Sequence, residues 1–305
     1  MWSPDFLYLS FKFGYIYKSP SYYFADSRHM ATHYNEPVDI ASSALTEEGT
    51  VYGGENNLIK GINNLCRMYD PDVIGIATTC LSETIGEDIE GIIKRYYVQY
   101  PESRVKLIPV ASGGYMGTQF EGYFQTLYSI LQHVEMKKEK HDRINVITGM
   151  LSPSDVRIIK DILSLFPIEY ILLPDASDNL DRGYEANYKR LPDKGTTLEQ
   201  IAMMTGSRLT IELSLFCPAE CSPGEYLKET YGVPLVRLSP PVRLKNTDAF
   251  IRMPESICRW PPAATSSVNT VSENLIAPMK AALESPPGSL RPRKPCSAFW
   301  MRKSG

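Results

Sequence analysis

The sequence predicts an α/β fold of Rossmann-like units, in which parallel sheets are flanked by helices. Apolar segments of strand length alternate with amphipathic segments of helix length at least four times, as in parallel βαβ units with helices on both sheet faces. The 305 residues, 43% of them hydrophobic and 22% charged, suffice for two compact domains. The alternation stops towards both ends, so we expect two regular domains between irregular ends.

The first predicted domain covers residues 28–142. Its elements follow from runs of apolar residues for the strands and from apolar residues at helical spacing for the helices. They are, in order, strand Asp72–Thr78, helix Glu83–Tyr97, strand Val105–Val110 and helix Gly117–Val134. The charged run Met136–Arg143 then interrupts the apolar pattern, and we expect a linker and a domain boundary there.

The second predicted domain covers residues 143–250 and alternates in the same way. Ser152 and Pro153 form a favourable helix start, with serine as the cap and proline in the first turn. The predicted elements are strand Ile144–Thr148, helix Val156–Phe166, strand Glu169–Leu173, helix Thr196–Met204, strand Arg208–Leu213, helix Gly224–Tyr231 and strand Pro234–Leu238.

The two ends differ from the middle. Residues 1–27 are an atypical, aromatic-rich segment without a sustained period, and residues 251–305 are rich in proline and serine, with one or two helical turns expected at Ala277–Leu283. Such a tail is typical of a disordered extension. A chain that stops alternating this abruptly is also what a departure from the ancestral reading frame produces, and both interpretations stay open.

Composition excludes several function classes. A net charge of −3 and a pI of about 5.9 give no basic surface for a nucleic-acid backbone, so we expect no nucleic-acid partner. No apolar run reaches eighteen residues and the N-terminal stretch is a poor secretory signal, so we expect no membrane partner and a cytoplasmic location. Six cysteines are too few for a disulfide scaffold and fit thiols or metal ligands.

The strongest local motif is TTCLSETIGED, from Thr78 to Asp88. Cys80 follows the carboxyl end of a predicted parallel strand and precedes a helix, the place where open α/β sheets bind ligands. Free amides and the positive end of the helix dipole favour a thiolate there, the form that attacks electrophiles or binds metal. The alternative is a small buried residue that closes the turn.

Many ordered blocks resemble the nitrogenase component 1 family of the β-chain type. The blocks span roughly residues 28 to 250: RHMATHYNEPV (28–38), SSALTEEGTVYGGENNL (42–58), TTCLSETIGEDI (78–89), GTQFEGY (117–123), INVI with Gly149, Pro174-Asp175, Gly195-Thr196-Thr197 and KNTDAF (245–250). The resemblance implies an α-type partner chain, a reductase iron protein, and an iron–sulfur cluster shared with the α-type chain that passes electrons to the catalytic cofactor.

The resemblance also assigns two residues. Cys80 matches the third cysteine ligand of the β chain, in agreement with the thiolate expected at that position. Thr118 matches a position where some members carry a serine near the cluster, although a helix N-cap is the simpler role and the one we favour. The family's first two cysteine ligands have no counterpart here, because no cysteine precedes Cys66. A lone cysteine holds a multi-iron cluster only if partner chains supply the other ligands.

Other candidate motifs have simpler explanations. Gly113–Gly117 lacks the full dinucleotide fingerprint and predicts a turn, and Cys217–Cys221 lacks the usual two-residue gap and predicts a loop. His29 and His33 lack the acidic residue expected between two metal-binding histidines. Five glutamates and aspartates near helix starts are ordinary partners of the helix dipole: Glu47, Glu48, Glu83, Glu87 and Asp88.

Three functional hypotheses therefore remain. The first is a β-type subunit of a nitrogenase-like oxidoreductase that shares cluster ligation and supports electron transfer. The second is a scaffold for cofactor assembly, towards which the segment Ala111–Gly117 leans because it departs from the pattern of catalytic chains. The third is a truncated, non-functional fragment. Substrate turnover with the reductase separates the first two, and reading the neighbouring DNA in all frames tests the third.

Overall fold

The computed structural model describes residues 13–17, 40–43, 47–177 and 195–257. The chain divides into two compact units, Met1–Thr247 and Asp248–Gly305. The histidines at 29 and 33, the first predicted block from residue 28, the helical turn at 277–283 and the rest of the tail beyond residue 257 lie outside the described residues. The predicted boundary between residues 142 and 143 stays a prediction.

Eight strands and nine α-helices occur in the described part of the chain. The strands are β1 (Phe13–Tyr17), β2 (Ile40–Ser42), β3 (Val73–Ala77), β4 (Lys106–Val110), β5 (Ile144–Ile147), β6 (Tyr170–Leu173), β7 (Leu209–Glu212) and β8 (Leu235–Arg237). The helices are α1 (Glu47–Tyr52), α2 (Glu55–Tyr69), α3 (Cys80–Thr84), α4 (Ile89–Gln99), α5 (Gln119–His133), α6 (Pro153–Ser164), α7 (Leu198–Met203), α8 (Pro223–Tyr231) and α9 (Arg243–Ile257).

The strands form two parallel sheets of four, with the orders β2-β1-β3-β4 and β6-β5-β7-β8. The predicted class, parallel sheets flanked by helices, is confirmed. Strands β3, β5 and β7 are buried along their whole length, as expected for parallel strands covered on both faces. In each sheet, the first strand along the chain takes an inner position. The second strand pairs with it on one side, and the third and fourth strands follow on the other side.

Helix α5 lies between the two sheets. Its buried residues occupy a broad side of the helix, Phe124, Leu127 and Ile130 among them. They share one apolar cluster with Ile108 and Val110 of β4 and with residues of the second sheet. The opposite face of the first sheet packs on α2 and α4 in a second cluster, which contains Leu107 of β4. Alternate residues of β4 therefore contact different layers.

Two local predictions need correction, and one helix was not predicted. The helix predicted over Glu83–Tyr97 is two helices, α3 and α4, because Gly86 adopts a left-handed conformation with φ 69° and Asp88 restarts the chain as an N-cap that accepts from the Gly91 amide at 2.8 Å. The N-terminal segment, predicted to be irregular, contains strand β1 in the middle of the first sheet. Helix α2 was not predicted, although Leu58, Ile62 and Leu65 bury one face of it.

Among the described residues, no helix combines the length and apolar character needed to cross a bilayer.

Candidate functional site

Cys80 is the first residue of α3 and follows the carboxyl end of β3. The first sheet reverses its direction of growth between β1 and β3, so the loop after β3 borders the switch point, where parallel sheets open a crevice for ligands. The Cys80 side chain is exposed and forms no disulfide. The position predicted for Cys80 is thus confirmed, whereas the alternative of a buried turn residue is wrong.

The loops after β3 and β4 are hydrogen-bonded to each other through Thr78, two residues before Cys80. The Ser112 amide donates to the Thr78 hydroxyl at 2.9 Å, and the Ser112 hydroxyl donates to the Thr78 carbonyl at 2.6 Å. The Thr78 hydroxyl in turn donates to the Glu83 carboxylate on α3. Thr78 is buried. These bonds hold two neighbouring strand ends and the start of α3 as one rigid unit.

The loop after β4 also reaches the sulfur itself. The Gly114 amide donates to Cys80 Sγ at 3.1 Å. A β-carbon at Gly114 would lie 3.4 Å from the sulfur, in ordinary van der Waals contact. The amide therefore orients the sulfur.

Thr118 is the N-cap of α5. Its hydroxyl accepts from the Glu121 amide at 3.2 Å, and the Glu121 carboxylate accepts from the Thr118 amide at 2.6 Å. This reciprocal pair is a capping box, which satisfies two amides that the first helical turn leaves unpaired. The hydrogen bonds from Thr118 lower the pKa of the exposed Glu121. The capping role is thus present, and a cluster contact through the same hydroxyl stays a prediction.

Most of the other candidate residues have structural roles. Gly113–Gly117 forms a turn in which the Met116 amide donates to the Gly113 carbonyl at 2.9 Å. Glu83 binds Thr78, Asp88 caps α4, and Glu87 accepts from the Gly54 amide at 2.5 Å. Glu47 and Glu48 lie in α1, and their side chains are outside the described set.

Cys217 and Cys221 lie in the loop after β7, so the predicted loop is present. Their sulfurs are 3.6 Å apart.

The residues around Cys80 fit one position of a metal cluster. Cys80 offers a single exposed sulfur with an amide donor, which suits an iron–sulfur cluster because thiolates hold the irons and N–H donors tune the cluster. Within the described ranges, no group of three or more histidine, cysteine, aspartate or glutamate side chains converges on a metal position. Any cluster on Cys80 therefore needs ligands from beyond the described residues.

The roles of Thr78, Ser112 and Gly114 are not visible in the sequence. Their contacts depend on β3 and β4 being neighbours in the sheet, which a single sequence does not state. A usable signal existed, because both loops start at the carboxyl ends of consecutive predicted strands, and consecutive strands are neighbours in most sheets.

Comparison with known proteins decides the family. The profile of the family described as Nitrogenase component 1 type Oxidoreductase matches residues 21–286. The chain belongs to this family. The match extends beyond residues 28–250, the range over which the sequence blocks carried the resemblance, at both ends.

Curated relatives place the chain with the β-type members. It is 36% identical over 234 residues to the nitrogenase molybdenum-iron protein beta chain of Methanococcus maripaludis, covering 73% of this chain and 50% of the relative. It is also 36% identical over 234 residues to the nitrogenase vanadium-iron protein beta chain of Trichormus variabilis, covering 73% and 48%. The chain therefore spans about half the length of the curated relatives that it matches.

The fold agrees with a solved nitrogenase structure. The structure described as "Nitrogenase Cp1 at pH 6.5" superposes with a TM-score of 0.77 at 27% identity, covering 85% of this chain and 57% of the solved one. The parallel sheets described above are thus those of a nitrogenase component 1 chain.

Proposed function

We propose that this chain acts as a β-type subunit of a nitrogenase-like component 1 oxidoreductase, in which Cys80 supplies one thiolate to an iron–sulfur cluster shared with an α-type chain. The cluster passes electrons from a reductase iron protein towards the catalytic cofactor, which the α-type chain holds. The observation that carries the proposal is the exposed Cys80 sulfur at the switch point of the first sheet.

The chemistry of the cysteine supports this role. Iron–sulfur clusters are held by cysteine thiolates, and their potentials depend on charge, solvent exposure and hydrogen bonds to sulfur. The Gly114 amide donates such a bond to Cys80. The bonds between Thr78 and Ser112 keep that amide in place. When bound, the cluster would supply one-electron transfer, and these residues would orient its ligand.

The surface beside Cys80 supports a shared site. Tyr115 and Met116, next to Gly114, are 64% and 53% exposed. Exposed aromatic and methionine side chains are enriched at the centres of protein interfaces. A partner chain that covers them would also bring the missing ligands to Cys80 and shield the cluster from water.

The relatives favour the subunit over the assembly scaffold. The curated chains reported above are named as beta chains of molybdenum-iron and vanadium-iron proteins. A component of this kind works beside its reductase in the cytoplasm, and we place the chain there.

Iron analysis of the co-expressed complex tests the proposal. The chain is co-expressed with an α-type chain and purified under anaerobic conditions, and iron and acid-labile sulfide are measured per complex. Cys80→Ala should lose the shared cluster, seen as lower iron and sulfide and as a loss of its electron paramagnetic resonance signal after oxidation.

The matched control is Cys66→Ala, because Cys66 lies on α2 and is partly buried. It should keep the iron of the unmodified complex. Equal iron and sulfide in the complex with Cys80→Ala and in the unmodified complex would remove Cys80 from the cluster. Reduction of substrate by the unmodified complex with its reductase separates the subunit from a scaffold, which holds metal without turnover.

A further inference from the structure

Cys217 and Cys221 form a close pair of thiols at the carboxyl end of the second sheet. They lie in the loop between β7 and α8. Cys221 is the last residue of a 3₁₀ turn, Ala219–Cys221, and Cys217 lies two residues before that turn. The two sulfurs are 3.6 Å apart, and only 3% of Cys217 and 8% of Cys221 is exposed. The Pro218 carbonyl lies 3.5 Å from both sulfurs.

The backbone around the pair is held on both sides. Glu212, which is fully buried at the end of β7, accepts from the Ser222 hydroxyl and from the Gly224 amide, both at 2.8 Å. Arg237 on β8 donates through Nη1 to the Cys217 carbonyl at 3.1 Å. The approach of the two sulfurs is therefore set by a fixed loop.

We propose that Cys217 and Cys221 are a dithiol site that hydrogen peroxide oxidises to an intramolecular disulfide. A disulfide needs the two sulfurs at about 2.0 Å, and rotation about the side-chain bonds closes the gap from 3.6 Å. Because the pair is buried, a small oxidant such as hydrogen peroxide suits it better than large disulfide reagents or other protein thiols. The site lies apart from Cys80 and does not depend on a cluster there.

The reaction balances in two steps. The Cys221 thiolate attacks one peroxide oxygen, which forms a sulfenic acid on Cys221 and releases hydroxide. The Cys217 thiol then attacks the Cys221 sulfur, and the sulfenic oxygen leaves as water when the S–S bond forms. The two thiols lose two electrons in total, and the peroxide is reduced to water.

Cys221 is the better first nucleophile. It is the more exposed of the two sulfurs, and a hydrogen bond from Cys217 stabilises its thiolate. Burial nevertheless raises the pKa of both thiols. Glu121 on α5 and Glu220 raise the pKa of Cys221 further, whereas Glu212 raises and Arg237 lowers that of Cys217. The rate of peroxide oxidation at this pair should therefore still rise with pH in the range where the oxidation rate of an exposed cysteine has already reached its plateau.

Oxidation would act on the helix between the sheets. The 3₁₀ turn that carries Cys221 contacts α5, the helix that Thr118 caps. Both sulfurs also belong to the apolar cluster around α5. The disulfide would therefore form within the contact between this turn and α5.

Mass spectrometry of the full chain tests the site. The reduced chain, with serine in place of Cys258 and Cys296, is treated with hydrogen peroxide, unfolded in acid and alkylated. Trypsin releases both cysteines in one peptide, Leu209–Lys228. We expect this peptide to lose two hydrogens in mass, to resist alkylation, and to recover both thiols after dithiothreitol. The rate of this conversion should increase steadily with pH.

Two variants locate the chemistry. Cys217→Ser should abolish the mass loss and leave a sulfenic acid on Cys221 that dimedone traps, whereas Cys66→Ser should leave the conversion unchanged. If Cys217 and Cys221 both remain alkylatable at a peroxide concentration that oxidises the exposed Cys80, the proposal is wrong. Pairing of Cys221 with any other cysteine would also overturn it. Iron binding at Cys80 plays no part in either readout.

Discussion

Glu212 offers the sharpest test of how the second sheet is stabilised. Its carboxylate is fully buried and accepts three hydrogen bonds, from the Ser214 hydroxyl at 2.7 Å and from the Ser222 hydroxyl and the Gly224 amide at 2.8 Å. It also forms an ion pair with Arg237, whose Nε lies 3.4 Å away. We expect Glu212→Ala to destabilise the chain strongly, because it leaves three buried donors without their acceptor and removes the nearer of the two carboxylates that pair with Arg237, the other being Glu225.

The loss of unfolding free energy in Glu212→Ala follows from the groups that lose their partner. Each buried donor left without its acceptor costs about 1–3 kcal/mol, and the broken ion pair adds to this cost, so we expect a loss of about 3–5 kcal/mol for Glu212→Ala. Arg237→Ala should cost less, about 1–2 kcal/mol, because Glu212 keeps three of its donors. The double variant should cost less than the sum of the two single variants, since each single variant already breaks the ion pair between the two residues.

Urea unfolding followed by circular dichroism measures these differences. The free energies are comparable only if the dependence on urea has the same slope in every variant. The matched control is Glu229→Ala, an exposed carboxylate on α8, which should change the free energy of unfolding by less than about 0.5 kcal/mol. An effect of Glu212→Ala no larger than that of Glu229→Ala would refute a structural role for the buried ion pair.

Three further substitutions test other contacts. Thr118→Ala should lower the free energy of unfolding by about 1 kcal/mol through loss of the cap, whereas T118S should restore it. Iron content that falls in Thr118→Ala and returns in T118S, with unfolding unchanged, would point to a direct cluster role instead. Gly206→Ala should cost about 1–3 kcal/mol, because its β-carbon would lie 1.8 Å from the Glu139 carbonyl oxygen; unchanged urea unfolding would contradict that contact. Asp175→Asn should destabilise by about 1–3 kcal/mol near neutral pH. Burial opposes the charge on Asp175, but hydrogen bonds from Lys160 and Ser177 outweigh burial and lower the pKa of Asp175. The contribution is therefore complete above the unfolded pKa of about 3.9 and is lost as pH falls through the lower folded value, so thermal unfolding of the two chains should converge in acid.

Most of the fold could be predicted from the sequence, because parallel strands buried on both faces leave unbroken apolar runs. Strands β3 to β8 follow from such runs. β1 does not, since Phe13–Tyr17 reads FGYIY, where a glycine and two tyrosines interrupt the aliphatic pattern. Its identity as a strand depends on its neighbours β2 and β3. The break at Gly86 also needed the backbone conformation.

The candidate site was predictable in part. A cysteine between a strand and a helix is visible in the sequence, and so is the family to which the surrounding motif belongs. The donor to its sulfur is not, because Cys80 and Gly114 meet only through the pairing of β3 with β4. The closeness of Cys217 and Cys221 was likewise hidden, because the three residues between them fold into a tight turn.

The central position of β1 affects how the chain assembles during synthesis. Phe13 pairs with Val73, and Tyr15 pairs with both Ile40 and Gly75. Strand β1, which leaves the ribosome before its partners β2 and β3, must therefore wait, with both of its edges open, until much later residues have been translated. Such an exposed template invites association between nascent chains, so early contact with a chaperone should raise the yield of folded subunit more than slower growth alone.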